Sequence, residues 1–231
     1  MGQKKPCVVY DLDGVLADTF QISLEVANLL VEMYGKRYGL KKIEPGDIPR
    51  YRNMRPDQIR KALGVPITLL PFIYREGKRL LAEETPKAKA FNGIYETVST
   101  IHQSNRYDQL ILTSNGRENT RGFLENNGLL EFFVELYTDF PILSKRAGLM
   151  QILSKKGITR EEMVFVCDEV RDIHAAQGWE ATLFGLIKPI PVISVGWGYN
   201  TPEALIAENP TAHISDPREL PGLLERLFNG K

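Results

Sequence analysis

Two aspartates separated by one residue, Asp11 and Asp13, follow an apolar run near the start of the chain. The run CVVY, residues 7–10, is rich in β-branched side chains and predicts a short buried strand. Two carboxylates at the end of such a strand repel each other unless a cation lies between them or one keeps a proton. The carboxyl ends of parallel strands are also where open α/β sheets bind ligands. By itself, the stretch also fits a pair of solvated turn aspartates.

Polar residues also follow a second apolar run, LIL at residues 110–112. Thr113, Ser114 and Asn115 offer hydroxyls and turn amides that suit phosphate oxygens. An ordinary turn before a helix is the alternative for this motif when it is considered alone.

Three further charged residues lie near the ends of predicted elements. Asp168 follows the apolar run at 163–167, and Asp172 lies one helical turn later. Acidic residues at a helix N-terminus also complement the helix dipole, which is the alternative explanation. Lys145 opens a predicted helix, where a cation opposes the dipole unless an anion is held nearby or the side chain extends into water.

The predicted elements place these residues at one edge of a sheet. Strands and helices alternate after residue 110, which predicts a parallel sheet with helices on both faces. About 100 residues separate the first two strands, far more than a crossover needs. We therefore predict a Rossmann-like three-layer α/β sandwich with a mostly parallel sheet, and a helical cap inserted after the first strand. The expected core comprises residues 1–15 and 91–231, and the expected cap comprises residues 16–90. Gly35 is predicted to end the first helix of the cap.

Carboxylates at such an edge favour a hard, oxygen-seeking cation, and Mg²⁺ fits best. A lysine and hydroxyls beside a metal indicate a phosphoryl group, for which catalysis is mostly positioning and charge neutralisation. A carboxylate can also serve as a covalent nucleophile.

The composition limits the classes of partner that the chain is expected to bind. The chain of 231 residues has 29 basic and 29 acidic side chains, so no overall field favours nucleic acid or an anionic membrane. No apolar segment is long enough for a signal peptide or a membrane span, and two cysteines fit a reducing compartment. We expect a cytoplasmic monomer or homodimer that binds neither nucleic acid nor membranes.

In this order and spacing, the stretches DLDGVLADT, LILTSN, Lys145 and VCDEVRD resemble the four motifs of the haloacid dehalogenase superfamily of phosphatases. The stretches FNGIYETV, DEVRDIHAA and VGWGYNTPEALIAENP resemble its phosphoglycolate-phosphatase-like branch. The similarity covers nearly the whole chain, and the order of the motifs makes it more specific than any one of them.

The resemblance implies a role for each matching residue. Asp11 would attack phosphorus and become an aspartyl-phosphate, and Asp13 would protonate the leaving group and then deprotonate water. Thr113 would bind a phosphoryl oxygen, helped by an amide of Ser114 or Asn115.

The remaining roles concern the cation and the charge of the nucleophile. Lys145 would pair with the phosphate and with Asp11. Asp168 would ligate Mg²⁺ together with the Asp11 carboxylate and the Asp13 main-chain carbonyl, and Asp172 would support that shell. Mg²⁺ and Lys145 together would keep Asp11 ionised. The cap would close over the site and select the substrate.

Three other features are less specific. Arg52, with Arg50 and Arg55, could bind an acidic substrate, but a solvated basic loop also explains them. The segment 178–189 is unusually long and fits a partner surface, a flap or simple packing. Tyr199 in the GWGYN stretch is interpreted as a packing residue.

We therefore expect a magnesium-dependent phosphatase acting on a small phosphorylated metabolite, with 2-phosphoglycolate as the best candidate. One alternative is a phosphosugar mutase on the same scaffold. Alternatives of another class are a catalytically inactive module and a signalling module that binds phosphate.

Overall fold

A parallel sheet with β1 at its centre organises the molecule. The structure is a computed structural model that describes residues 4–54, 56–140, 145–178 and 188–229. The strands in these ranges are β1 (Cys7–Tyr10), β2 (Asp108–Leu112), β3 (Glu135–Tyr137), β4 (Met163–Cys167), β5 (Val192–Val195) and β6 (Ala212–Ile214). Their order is β3-β2-β1-β4-β5-β6, and every neighbouring pair is parallel. This order confirms the predicted α/β class.

Helices cover both faces of the sheet. Those in the described ranges are α1 (Phe20–Tyr38), α2 (Ile48–Arg52), α3 (Pro56–Ala62), α4 (Leu70–Glu84), α5 (Ile94–Gln103), α6 (Arg117–Asn126), α7 (Lys145–Lys156), α8 (Val170–Gln177), α9 (Pro202–Ile206) and α10 (Leu220–Asn229). Val8 and Tyr10 of β1 pack in one apolar cluster, with residues of α5 and α10. Cys7 and Val9 point to the other face and pack with residues of α7 and α8. A strand covered on both faces is apolar at every position, as β1 is.

Helices α1 to α4 lie between β1 and β2 and form an insertion. Helices α1 and α4 pack against each other. Gly77 of α4 lets Leu30 of α1 come close, because a Cβ at Gly77 would lie 3.4 Å from Leu30 Cδ1. The close approach of the two helices gives the insertion apolar contacts of its own.

The two ends of the insertion meet at a short neck. Ala17 and Ala90 form an antiparallel bridge. The Asp18 amide donates to the Lys89 carbonyl at 2.9 Å, and the Phe91 amide donates to the Leu16 carbonyl at 3.1 Å. The chain therefore leaves the core and returns to it at neighbouring positions.

Helix α1 extends beyond Gly35, the residue that was predicted to end it. It continues through Gly35 to Tyr38 and ends at Gly39, which has a left-handed φ of 66°. The Gly39 amide donates to the Gly35 carbonyl at 2.7 Å. The prediction that Gly35 ends the helix is wrong, because the positive φ that a C-terminal cap requires falls at the second glycine.

Two remaining expectations concern the membrane and the long segment. None of the helices in the described ranges combines the length and the apolar composition that crossing a bilayer requires. Of the segment 178–189, residues 179–187 lie outside the described residues, so its proposed roles stay predictions.

Candidate active site

The ends of β1, β2 and β4 lie at one edge of the sheet. Tyr10 is paired with Ile111 on one side and with Val166 on the other. Asp11 follows Tyr10, is 4% exposed, and its amide donates to the Val166 carbonyl at 3.0 Å. Backbone pairing of the strands therefore fixes the position of the Asp11 main chain independently of its side-chain contacts.

Lys145 is buried beneath this edge and pairs with two carboxylates. Its ammonium donates to Asp11 Oδ2, and it donates to Asp172 Oδ2 at 2.6 Å. Burial disfavours the charge of Lys145, but Asp11 and Asp172 outweigh burial and raise its pKa above the ordinary value. The predicted pairing of Lys145 with Asp11 is present, and Asp172 is a second partner that the sequence did not indicate.

Asp11, Asp168 and Asp172 form an acidic triad. One carboxylate oxygen of each lies within 4.8 Å of the others, and all three residues are buried. Asp168 Oδ1 and Asp172 Oδ1 are buried and receive no hydrogen bond from the described residues. Buried carboxylate oxygens without a donor are costly, and hard divalent cations such as Mg²⁺ prefer oxygen ligands. The donor set and the two unpaired oxygens fit a divalent cation.

The pKa shifts point the same way. Burial raises the pKa of Asp11 to about 8, and the Lys145 ammonium offsets only part of the rise. Burial and the charges of Glu169 and Asp11 raise the pKa of Asp168 well above its usual range. The pKa of Asp11 thus stays above its usual range even beside Lys145, and the expectation that Lys145 and a cation together keep Asp11 ionised stays a prediction.

The Asp13 side chain lies apart from the triad and is held from both sides. Asp13 Oδ1 accepts from the Thr19 hydroxyl at 2.9 Å, and Asp13 Oδ2 accepts from Asn115 Nδ2 at 2.6 Å. Burial raises the pKa of Asp13 above its ordinary value. A carboxyl group that is oriented in this way, with a raised pKa, suits proton transfer.

Asp168 lies in a slot between two glycines. A Cβ at Gly14 would lie 2.0 Å from Asp168 Oδ2, and a Cβ at Gly198 would lie 2.3 Å from Asp168 Cβ. The Tyr199 amide donates to Asp168 Oδ2 at 2.7 Å. The slot therefore requires glycine at both positions, and it orients the carboxylate.

The residues that follow β2 form another side of the candidate site. Thr113 is fully buried, and its hydroxyl accepts from the Asn115 amide at 3.1 Å. Ser114 and Asn115 line a cavity of about 240 Å³ that also reaches Asp13. The structure thus brings these three residues to the edge that carries Asp11.

Arg52 lies elsewhere. Its Nε donates to the Tyr199 carbonyl at 2.9 Å, and its Nη2 donates to the Gly198 carbonyl at 2.6 Å. Arg52 lines a separate cavity of about 180 Å³ rather than the cavity that reaches Asp13. Among the described residues that line the cavity reaching Asp13, the cation is Lys78 of α4. Sequence reasoning missed Lys78, because an isolated lysine on an amphipathic helix gives no signal.

The 196–201 loop, which follows β5, is the second feature that sequence reasoning missed. It supplies Gly198 and Tyr199 to the Asp168 slot. The Trp197 indole also ties the loop to the core, because it donates to the Val15 carbonyl at 3.1 Å. The compact stretch GWGYN was a signal for a close backbone approach, but not for its target.

Comparison with known proteins identifies the family of this chain. A family model described as haloacid dehalogenase-like hydrolase matches residues 8–185. A phosphoglycolate phosphatase of Synechococcus elongatus is 27% identical over 213 residues, which cover 92% of this chain and 94% of that protein. The pyrophosphatase PpaX of Halalkalibacterium halodurans is 25% identical over 174 residues, which cover 72% of this chain and 76% of PpaX.

A solved structure supports the fold. A haloacid dehalogenase-like family hydrolase from Streptococcus pneumoniae has a TM-score of 0.73 at 18% identity, covering 96% of this chain and 99% of that one. The family match covers most of the chain and includes the three residues of the acidic triad and all of β1 except Cys7. The resemblance seen in the motifs is confirmed, and the chain belongs to the haloacid dehalogenase-like hydrolase family.

Proposed function

We propose that this hydrolase is a magnesium-dependent phosphatase that releases phosphate from a small phosphorylated metabolite through an aspartyl-phosphate intermediate. The observation that carries the proposal is the buried contact of Asp11 with Lys145 beside Asp168 and Asp172. The general acid of the proposed reaction is Asp13, whose side chain lies outside the acidic triad and is oriented by Thr19 and Asn115. A nucleophile and a proton donor on neighbouring residues suit a two-step transfer of a phosphoryl group.

In the first step an oxygen of Asp11 forms a bond to phosphorus, and the bond from phosphorus to the leaving oxygen breaks. Asp13 gives its proton to that oxygen. In the second step Asp13 takes a proton from water, the water oxygen bonds to phosphorus, and the bond from phosphorus to Asp11 breaks. The hydrogen bonds from Thr19 and Asn115 hold Asp13 in place for both transfers.

Lys145 and the residues after β2 would bind the phosphoryl oxygens. Lys145 supplies positive charge, and Thr113 supplies its hydroxyl, with a backbone amide of Ser114 or Asn115. These donors are fixed before the reaction, so little reorganisation opposes the change in charge.

The cation site would consist of Asp11, Asp168, Asp172 and the main-chain carbonyl of Asp13. When bound there, Mg²⁺ would neutralise the charge of the phosphoryl oxygens and of the crowded carboxylates. This assignment is supported by two buried oxygens that accept no hydrogen bond from the described residues, Asp168 Oδ1 and Asp172 Oδ1.

We divide the chain into a core of residues 1–15 and 91–231 and a cap of residues 16–90, on the basis of the neck between Ala17 and Ala90. The cap would cover the site and select the substrate. The cavity that reaches Asp13 has apolar walls from the cap, such as Val26 and Leu30, and, among the described residues, the cap cation Lys78.

Lys78 favours a small phosphorylated acid as substrate. It pairs with Asp139 at 3.1 Å, and both side chains are substantially exposed. Exposed pairs contribute at most about 1 kcal/mol, so a substrate carboxylate can replace Asp139 at little cost. The phosphoglycolate phosphatase relative supports 2-phosphoglycolate as the first compound to test.

The test is phosphate release by the purified protein from phosphorylated acids, phosphosugars and pyrophosphate, with Mg²⁺ or with EDTA. We expect turnover that requires Mg²⁺ and is fastest with a small phosphorylated acid. The variant Lys78→Met should raise KM for that acid but not for p-nitrophenyl phosphate, whose leaving group carries no carboxylate. Interconversion of sugar phosphates that requires added sugar bisphosphate, without phosphate release, would instead indicate a mutase. No turnover of any compound would overturn the proposal.

A further inference from the structure

The Tyr199 hydroxyl lies between the cap and the core. It is 2.6 Å from Ser23 Oγ of helix α1 and 3.0 Å from Thr19 Oγ1, which precedes that helix. The Tyr199 ring packs edge-on against Phe20, with centroids 5.4 Å apart. Burial raises the pKa of the Tyr199 hydroxyl, so it stays protonated and remains a donor.

The hydroxyls form a directed chain that ends at Asp13. The Thr19 hydroxyl donates a hydrogen bond to Asp13 Oδ1 at 2.9 Å. Thr19 therefore accepts from Tyr199, and Tyr199 accepts from Ser23, so that each hydroxyl donates once. Hydrogen bonds in such a chain polarise one another, so the loss of one weakens the next.

The backbone of the same residue serves the other half of the site. The Tyr199 amide donates to Asp168 Oδ2 at 2.7 Å, and the Tyr199 carbonyl accepts from Arg52 Nε at 2.9 Å. The neighbouring residue is also bound to the cap, because Asn200 Nδ2 donates to the Arg52 carbonyl at 2.7 Å. The 196–201 loop thus joins helices α1 and α2 of the cap to Asp168 of the proposed cation site and, through Thr19, to Asp13.

We propose that Tyr199 is a positioning residue that links the seating of the cap to the orientation of Asp13. The inference rests on the proposed function, because it assigns Tyr199 to the same reaction. With the cap in place, Ser23 completes the chain of hydroxyls, and Thr19 is held in the position from which it orients Asp13. With the cap displaced, Ser23 and Thr19, which both belong to the cap, would leave Tyr199, and Asp13 would lose the hydrogen bond from Thr19.

The direct test is Tyr199→Phe, which keeps the ring and the backbone contacts and removes only the hydroxyl. We expect kcat to fall about tenfold with KM within about twofold, since misplacing a reacting group affects the chemical step. The matched control is Tyr137→Phe, whose hydroxyl donates to Glu135 at 2.8 Å, and it should keep the wild-type kcat. Ser23→Ala breaks the chain from the cap side and should lower kcat by about threefold.

A double-mutant cycle separates positioning from simple packing. If Tyr199 acts through Thr19, the double variant Thr19→Val, Tyr199→Phe should be about as slow as the slower single variant. Wild-type kcat in Tyr199→Phe, or effects of the two substitutions that multiply, would overturn the inference and leave the proposed function standing. A wild-type protein without phosphatase activity would overturn both.

Discussion

Helix α7 carries a paired lysine near each end, and the two pairs differ in almost every other respect. Lys145 is 3% exposed and contacts Asp11 and Asp172, whereas Lys155 is 57% exposed and contacts Glu135. An exposed pair contributes at most about 1 kcal/mol, because water screens both charges. Breaking a buried pair costs about 3–5 kcal/mol, because it leaves a charge without a partner. Location, and not residue type, distinguishes the two lysines.

The largest expected effect is on the carboxylate that Lys145 contacts. Asp11→Asn removes the proposed nucleophile, and kcat for phosphate release should fall by at least about 10⁴-fold. The matched control is Glu135→Gln, which removes the partner of Lys155 and should leave kcat unchanged. Wild-type turnover by Asp11→Asn would show that Asp11 is not the nucleophile.

Removal of the buried Lys145 ammonium should have the second-largest effect. In the metal-free protein, Lys145→Met should lower the free energy of unfolding by about 3 kcal/mol, because Asp11 and Asp172 remain buried without their shared partner. Urea denaturation followed by circular dichroism measures this value. A cost equal to that of removing Lys155 would show that burial does not distinguish the two lysines.

The third prediction concerns metal and pH. The pKa of Asp11 rises from 3.8 to about 8 on folding, so the metal-free folded state loses stability as the pH rises through that range. Ionised carboxylates bind cations better than protonated ones. Saturating Mg²⁺ should therefore raise the melting temperature by about 5 °C near pH 8.5, and by much less near pH 6. An equal rise at both values would argue against binding at Asp11.

The smallest expected effect is on the exposed pair. Lys155→Met should change the free energy of unfolding by less than about 1 kcal/mol and leave KM and kcat at wild-type values. The same measurements as for Lys145→Met apply. A loss of activity in this variant would contradict the contrast between the two ends of α7.

Local patterns predicted the strands and the acids that follow them. The run at 7–10 became β1 with the predicted bounds, and Asp11, Thr113 and Asp168 follow strands that meet at one edge. Period and turn residues are local properties, and parallel pairing then brings the strand ends together. Much of the candidate site was therefore predictable from spacing alone.

The contacts between distant segments were not predictable in the same way. Arg52 and Tyr199 are 147 residues apart in the chain, and neither sequence context indicates the other. The Gly198 approach to Asp168 depends on how the loop after β5 folds back over the site. The second partner of Lys145, Asp172, likewise depends on the packing of α7 against α8. Packing decides these contacts, and one sequence does not encode them in any short pattern.

The neck at Ala17 and Ala90 has a consequence for how such a protein can diversify. The amide of Asp18 and the carbonyl of Lys89 are 2.9 Å apart, so a few residues could join the two ends directly. Closing a short connection costs little chain entropy, and it leaves the register of β1 and β2 untouched. We therefore expect that a short connection could replace the helical insertion while β1, β2 and the residues that follow them keep their positions.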